Sequence, residues 1–489
     1  MKITEFIQTS DGESVDVTKL ISNLQQRRYI DQPDTDKFKN QIDPKTHEVF
    51  NHITRPDKSV RINDDELDMY PNATKVTNGT EQAAFRTEKV ARIALAIQKL
   101  IVKRAVSFLF GNPVELETNT ENDKEKEVLK AVERVRYDIK EKAFNRRVAR
   151  NIMSCKEVAE LWYPVESKNN IYGFNSKFKL KAALFSPLKG DVLYPYFDDN
   201  EDMIAFSREF EIKELGSKTV KYFETYTDEE TALFKQSENG WQLVDGYPKE
   251  NIIGKIPVVF GYKSQVEWED VQGLIDRLEK LLSNFADTND YHASPKIFVK
   301  GDLLGFSKKG ESGAILQGDE NSSAEYLSWA NAPESVRLEI ETLLNMIYTI
   351  TQTPDISFES VKGIGAISGV ALKLLFMDAH LKVAEHQEVF DEYLQRRYSL
   401  IKAFIGKFNT TLESAANNLM IEPIITPYMI IDEAEEIKIW QDANGGNPVM
   451  SQKASFKKAG LTGDTDADYQ QYLQEQSQKN QFTLNEPTV

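Results

Sequence analysis

The chain has 489 residues, 40% hydrophobic and 28% charged, with a formal net charge of −17. That length suits two to four sub-domains with buried cores. The acidic balance excludes an outer surface built to grip DNA, which normally shows a basic surplus or stripe. The longest apolar runs, such as Ile256-Pro257-Val258-Val259-Phe260, fall far short of the ~18 residues of a membrane span. The start, Met1-Lys2-Ile3-Thr4-Glu5, lacks the apolar centre of a secretion signal. Cys155 stands alone, which excludes an internal disulfide and fits a reducing cytoplasm.

In chain order, residues 1–80 are polar and turn-rich, as in Asp31-Gln32-Pro33-Asp34 and Arg55-Pro56-Asp57. They predict an extended arm with one short helix near Val17–Leu24. Val90, Ile93, Ile97, Leu100, Ile101 and Phe108 recur at helical spacing, and Gly111 and Pro113 close that helix. A charged helix is expected from about Asp123 to Trp162. Between Lys177 and Phe260 the pattern turns to short β-rich runs separated by turn residues, the signature of an antiparallel meander.

Val271, Leu274, Ile275, Leu278, Leu281, Leu282 and Phe285 then repeat at three and four, an amphipathic helix. An insert follows with candidate strands Ile297-Phe298-Val299 and Ala314-Ile315-Leu316. A second amphipathic helix begins after Pro333 and stops at Pro354. Val370 to Ile405 lacks both Gly and Pro, which predicts a rod of roughly 54 Å. Such a rod serves as a wall or spacer more readily than as the lining of a pocket. A short helical hairpin, an acidic run and a Gln-rich tail end the chain.

Chemical motifs are few. Gly363-Ile364-Gly365-Ala366-Ile367-Ser368-Gly369 misses the dinucleotide fingerprint by one residue and follows no strand, so a loop closed by Ser368 as a helix cap is the better account. Gly216-Ser217-Lys218-Thr219 lacks the upstream glycine of a phosphate loop. Asp464, Asp466, Asp468 and Glu475 match four calcium-loop positions, but Tyr469 stands where glycine must make the turn. An acidic first helical turn explains them better. His380 and His386, six apart, do not share a helix face as a metal pair would. No residue set names a catalytic group, and no cofactor is implied.

Several segments, taken in order, resemble the portal (head-to-tail connector) proteins of tailed bacteriophages, of the siphophage type. They are Val106-Ser107-Phe108-Leu109-Phe110-Gly111-Asn112-Pro113-Val114, Gly254-Lys255-Ile256-Pro257-Val258-Val259, and Val271 to Leu278 running on to Ser283 and Asp287. Ile367-Ser368-Gly369-Val370-Ala371-Leu372-Lys373 and the stretch from Met450 to Glu475 complete the series, which spans about 85–480. The resemblance implies an α+β portal fold with mainly helical wing, stem and crown, a β-rich wing part and a small α/β clip. It divides the chain into an N-terminal arm (1–80), wing (81–262), first stem helix (263–292), clip (293–332), second stem helix (333–352), tunnel loop (353–367), long wing helix (368–407) and crown (408–489).

It also implies a ring oligomer, typically a dodecamer, at one capsid vertex, through which double-stranded DNA is packaged and later ejected without sequence reading. The implied partners are further copies of the chain, the terminase large subunit, a head-completion adaptor, and the major capsid and scaffolding proteins. Ser357, Ser360, Lys362, Gly363, Gly365 and Ser368 would line the tunnel loop, with Lys362 as a cation near the duplex. Lys308, Lys309, Glu311, Asp319 and Glu320 would face terminase or adaptor. A ring of twelve would carry twelve times −17 formal charges, so a polyanion inside meets largely repulsive walls. Two readings compete, a nucleic-acid-processing enzyme and a scaffold of long helices. The first needs a metal or nucleotide site that the motifs do not supply, and the second would lack an axial hole.

Overall fold

A computed structural model describes residues 1–6, 16–62, 70–78, 81–120, 122–213, 219–292, 296–300, 303–305, 317–318, 323–327, 332–354, 376–429, 433–444, 449–459 and 465–483. The chain divides into two compact units, Met1–Pro354 with Ala379–Pro427, and Asp355–Asp378 with Tyr428–Val489.

The body of the first unit is a layered sandwich. Strands β7 (Val192–Phe197), β8 (Met203–Lys213), β9 (Thr219–Tyr226), β10 (Glu230–Ser237) and β11 (Gly240–Leu243) form an antiparallel meander, with β12 (Lys249–Glu250) beside β10. Side chains alternate across a strand, so each strand has two faces to bury. One face presents Tyr194, Ala205, Phe223 and Phe234 to α1 (Val17–Leu24), whose Leu20, Ile21 and Leu24 close over it. The other presents Leu193, Met203, Phe206 and Tyr226 to a second sheet, ordered β13 (Val258–Tyr262), β5 (Glu157–Asn169), β6 (Ser176–Phe185).

Helices cover the outer face of that second sheet. They are α5 (Glu141–Cys155) and the long α8 (Met377–Phe408). A Cβ added at Gly261 of β13 would fall 2.8 Å from Tyr393 of α8 and 2.9 Å from Ile152 of α5. The absence of a side chain there lets strand and helices meet.

Several expectations change in this light. The charged stretch from Asp123 is not one helix: α4 (Asp123–Asp138) stops before Lys140, which adopts a left-handed φ of 56°, α5 follows, and the chain turns into β5 at Glu157. Residues 81–262 carry more strand than helix, and helix and sheet together make a mixed fold consistent with a portal. The β-rich runs form two sheets, since β6 leaves the meander for β5. Residues within the expected arm are built into the body as well. Arg27 pairs with Glu157 at 2.5 Å, both buried, and α2 (Thr35–Ile42) sends Phe38 edge-on to Trp268.

Three strands stand apart as a small sheet, β1 (Lys58–Ile62), β3 (Glu81–Glu88) and β2 (Thr74–Asn78), with β1 and β2 as its edges. The described residues of the expected clip are strands: β14 (Lys296–Lys300) with β17 (Ser323–Leu327), and β15 (Leu303–Gly305) with β16 (Gln317–Gly318). β4 (Glu115–Glu117) pairs with β18 (Glu422–Ile424), which ties the region after α9 (Glu413–Asn418) to the turn after α3 (Ile97–Phe110).

In the second unit, α10 (Glu433–Asn444) meets α11 (Gln452–Ala459) where Asn444 donates to Ser455, and α11 packs on α12 (Thr465–Thr483) through aromatic rings. Phe456 lies 5.7 Å from Tyr469 and 5.2 Å from Tyr472.

Candidate functional site

The site is the helix pair α6 (Gln272–His292) and α7 (Ala332–Ile350) with the apparatus that fixes its base. Ile275, Leu278 and Leu281 of α6 and Leu343 and Ile347 of α7 are buried, as the three-four repeat predicts. Arg277 donates to Glu339 through Nε (2.8 Å) and Nη2 (2.6 Å) and so closes the exposed side of the pair. α7 keeps an uncovered apolar stripe: Leu338, Met346 and Ile350 are 65%, 49% and 51% exposed.

The base of α6 is held by a device absent from any motif. Glu279, Ser283 and Asp287 stand four residues apart on one face of the helix. They accept backbone N–H groups from Leu95 (2.7 Å), Ile93 (2.9 Å) and Ala91 (2.7 Å) of the strap 89–96. Four helical residues rise about 6.0 Å, and two residues of an extended chain advance about 6.6 Å. The two periods nearly coincide, so one helix face serves as a hydrogen-bonding partner for a chain running antiparallel to it. Around it, His47 Nδ1 lies 2.8 Å from Glu279 Oε1, and Arg55 donates to Asn284 (2.7 Å), Asp287 (2.8 Å) and the Ala91 carbonyl (3.0 Å).

Below α6 lies a buried charge cluster. Glu267 sits 2.6 Å from Lys263, 3.0 Å from Lys382 and 3.5 Å from the His386 ring. Burial alone would raise the Glu267 carboxyl, but His386, Lys382 and Lys263 hold it well below the usual carboxylate range. The cluster clamps the start of α8 to the segment that leads into α6. Further along α8, Arg397 is fully buried and grips Glu160 of β5 through two 2.7 Å bonds, and Trp162 Nε1 also donates to Glu160 at 2.8 Å. Tyr398 donates to Glu141 at 2.5 Å. Cys155 is inert in this setting, because burial pushes its thiol up to about 11.

The residues singled out by sequence fare differently. Ser357, Ser360, Lys362, Gly363, Gly365 and Ser368 lie outside the described residues, as do Lys308, Lys309, Glu311, Asp319 and Glu320. Asp464 does too, while Asp466 and Asp468 fall in the first turn of α12 and Glu475 in its middle. A continuous helix from Thr465 cannot wrap a cation as a loop does, and Asp466 instead lies 3.1 Å from Lys453. Among the described residues no group of acidic, His or Cys side chains could hold a metal ion, and no helix is long and apolar enough to cross a membrane. Ser283 and Asp287, quoted for the resemblance, prove to be strap anchors. Sequence does not single out Glu279 and Arg397, because a charged residue on an amphipathic helix reads as solvent-facing, nor Glu267, which lies in the turn before α6 where a charge is ordinary.

A family model described as "Phage portal protein, SPP1 Gp6-like" matches residues 62–481. The chain belongs to that portal family, a structural family of virion components with a portal or connector role. Among solved structures it is similar to a chain in the neck of an empty GTA particle computed with C6 symmetry. That chain is 8% identical, with a TM-score of 0.40, over 74% of this chain and 90% of the other. A chain in the neck of a native GTA particle computed with C12 symmetry is also 8% identical, with a TM-score of 0.37, over 75% and 88%. No curated protein matches.

Proposed function

We propose that copies of this chain close into a ring, typically of twelve, at one capsid vertex, and that double-stranded DNA passes through the bore during packaging and ejection. The observation that carries the ring is the stripe Leu338, Met346 and Ile350 on a helix pair whose other apolar face is already buried. Exposed apolar side chains along one helix row, interrupted at Thr342, mark a contact surface, and a head-to-tail contact that closes by rotation makes a ring. The helices would be staves of the stem. The insert 293–332, with Lys308, Lys309, Glu311, Asp319 and Glu320, would be the clip that meets terminase and later the adaptor. The loop 353–367, with Lys362, would face the duplex, 408–489 would form the crown, and the ring would nucleate capsid assembly with scaffolding and capsid proteins.

Negative-stain images of purified protein viewed end-on test this reading. Annular particles with a central hole are expected. Replacing Leu338 and Ile350 together by Asp should leave a folded subunit that no longer closes, since each charge would have to be desolvated at the contact. Rods, or monomers at every concentration of the unaltered chain, would end the proposal.

A further inference from the structure

Strand β13 is the edge of its sheet and pairs on one side with β5. Trp162 N–H donates to the Pro257 carbonyl at 2.8 Å, and Lys263 N–H to the Lys156 carbonyl at 2.7 Å. Bonded and non-bonded pairs alternate in an antiparallel ladder, so residues 257, 259, 261 and 263 turn their backbone groups to β5. Val258, Phe260 and Tyr262 therefore aim N–H and C=O away from it. That side opens into two clefts, of about 330 and 260 Å³, which share Met203 and Arg396. One wall is α8, with Glu388 and Glu392, and the other carries Phe197 and Met203. A bare strand edge in a cleft is a template for one more strand.

We propose that this edge receives β1 of a second copy of the chain. β1, Lys58-Ser59-Val60-Arg61-Ile62, is also an edge strand, and within one chain it pairs with β3 and not with β13. The charges match. Glu388 and Glu392, one turn apart on α8, are exposed, and so is Arg61. None of these three side chains has an ion pair or hydrogen bond among the described residues. Side chains alternate along an inserted strand, so Arg61 can face the two glutamates while Val60 faces Phe197 and Met203. Phe260 and Tyr262, part-exposed where Val258 is buried, each then supply one N–H and one C=O to the newcomer. The inference rests on the ring reading, which brings a second copy alongside.

A charge exchange tests it. Glu388→Lys with Glu392→Lys, and separately Arg61→Glu, should each lower ring yield in mass photometry by about tenfold, equivalent to about 1.4 kcal/mol. All three changes together should restore it. Tyr262→Pro removes an outward N–H that β5 does not use, and it should also lower ring yield while the subunit melts as a folded protein. Undiminished rings in either reversed variant, or no rescue in the combined one, overturn the proposal. In those outcomes annular particles still form in the unaltered chain, so the ring reading survives. Loss of rings in the unaltered chain removes both.

Discussion

Glu267 shows how much one buried charge can depend on its neighbours. Its carboxyl is held below the ordinary value of 4.5, so the stability it contributes is present above that value and is lost as pH falls toward the folded one. Glu267→Gln should therefore destabilise the protein near neutral pH. The gap to the unaltered chain should narrow below about pH 4 in urea titrations. A gap that stays constant through the acid range would show that the cluster is not what holds α8. Arg397 and Glu160 make the complementary point about reading a sequence. Glu160 sits where an alternating strand would be recognised, but its charge breaks the apolar pattern of β5 and makes the segment look like a continuing helix. The residue that permits a buried glutamate, Arg397, lies 237 positions away. Such a pairing leaves no local signal.

Elements defined by one strong local period were legible. α1, α6, α7 and the meander strands fall where their apolar spacing puts them, because each buries one stripe or one face. The boundary of α4 and α5 was hidden, since a left-handed Lys140 is set by the tertiary fold and not by propensity. The strap 89–96 was hidden for another reason: its partner is a set of side chains, not a strand. Ser283→Ala removes one acceptor. It should cost about 1 kcal/mol and release the Ile93 amide to hydrogen exchange while Ala91 and Leu95 stay protected. Uniform exchange of all three amides would mean that the rungs open as one.

For the whole molecule, the family match over 62–481 and the ordered segments 85–480 read from sequence cover nearly the same span. The order of weak segments thus carried more information than any one motif did. Under the proposed ring, a net charge of −17 in each copy would suit a conduit for a polyanion, with Lys362 as the proposed local exception. Lys362→Glu should shorten the DNA packaged per particle, measured by pulsed-field gels on full heads, because a ring of cations near the duplex neutralises phosphates without reading bases. Unchanged genome length would place Lys362 away from the duplex.

The strap and α6 work as a vernier. Each rung adds about 0.6 Å of mismatch between the 6.0 Å and 6.6 Å spacings, so a fourth rung near Tyr291 would be out of register by roughly 2 Å, beyond hydrogen-bond tolerance. The grip therefore ends by itself at Asp287, with no stop residue. Lengthening either partner would not extend it, and a load on the turn of α6 past Asp287 does not act on a rung.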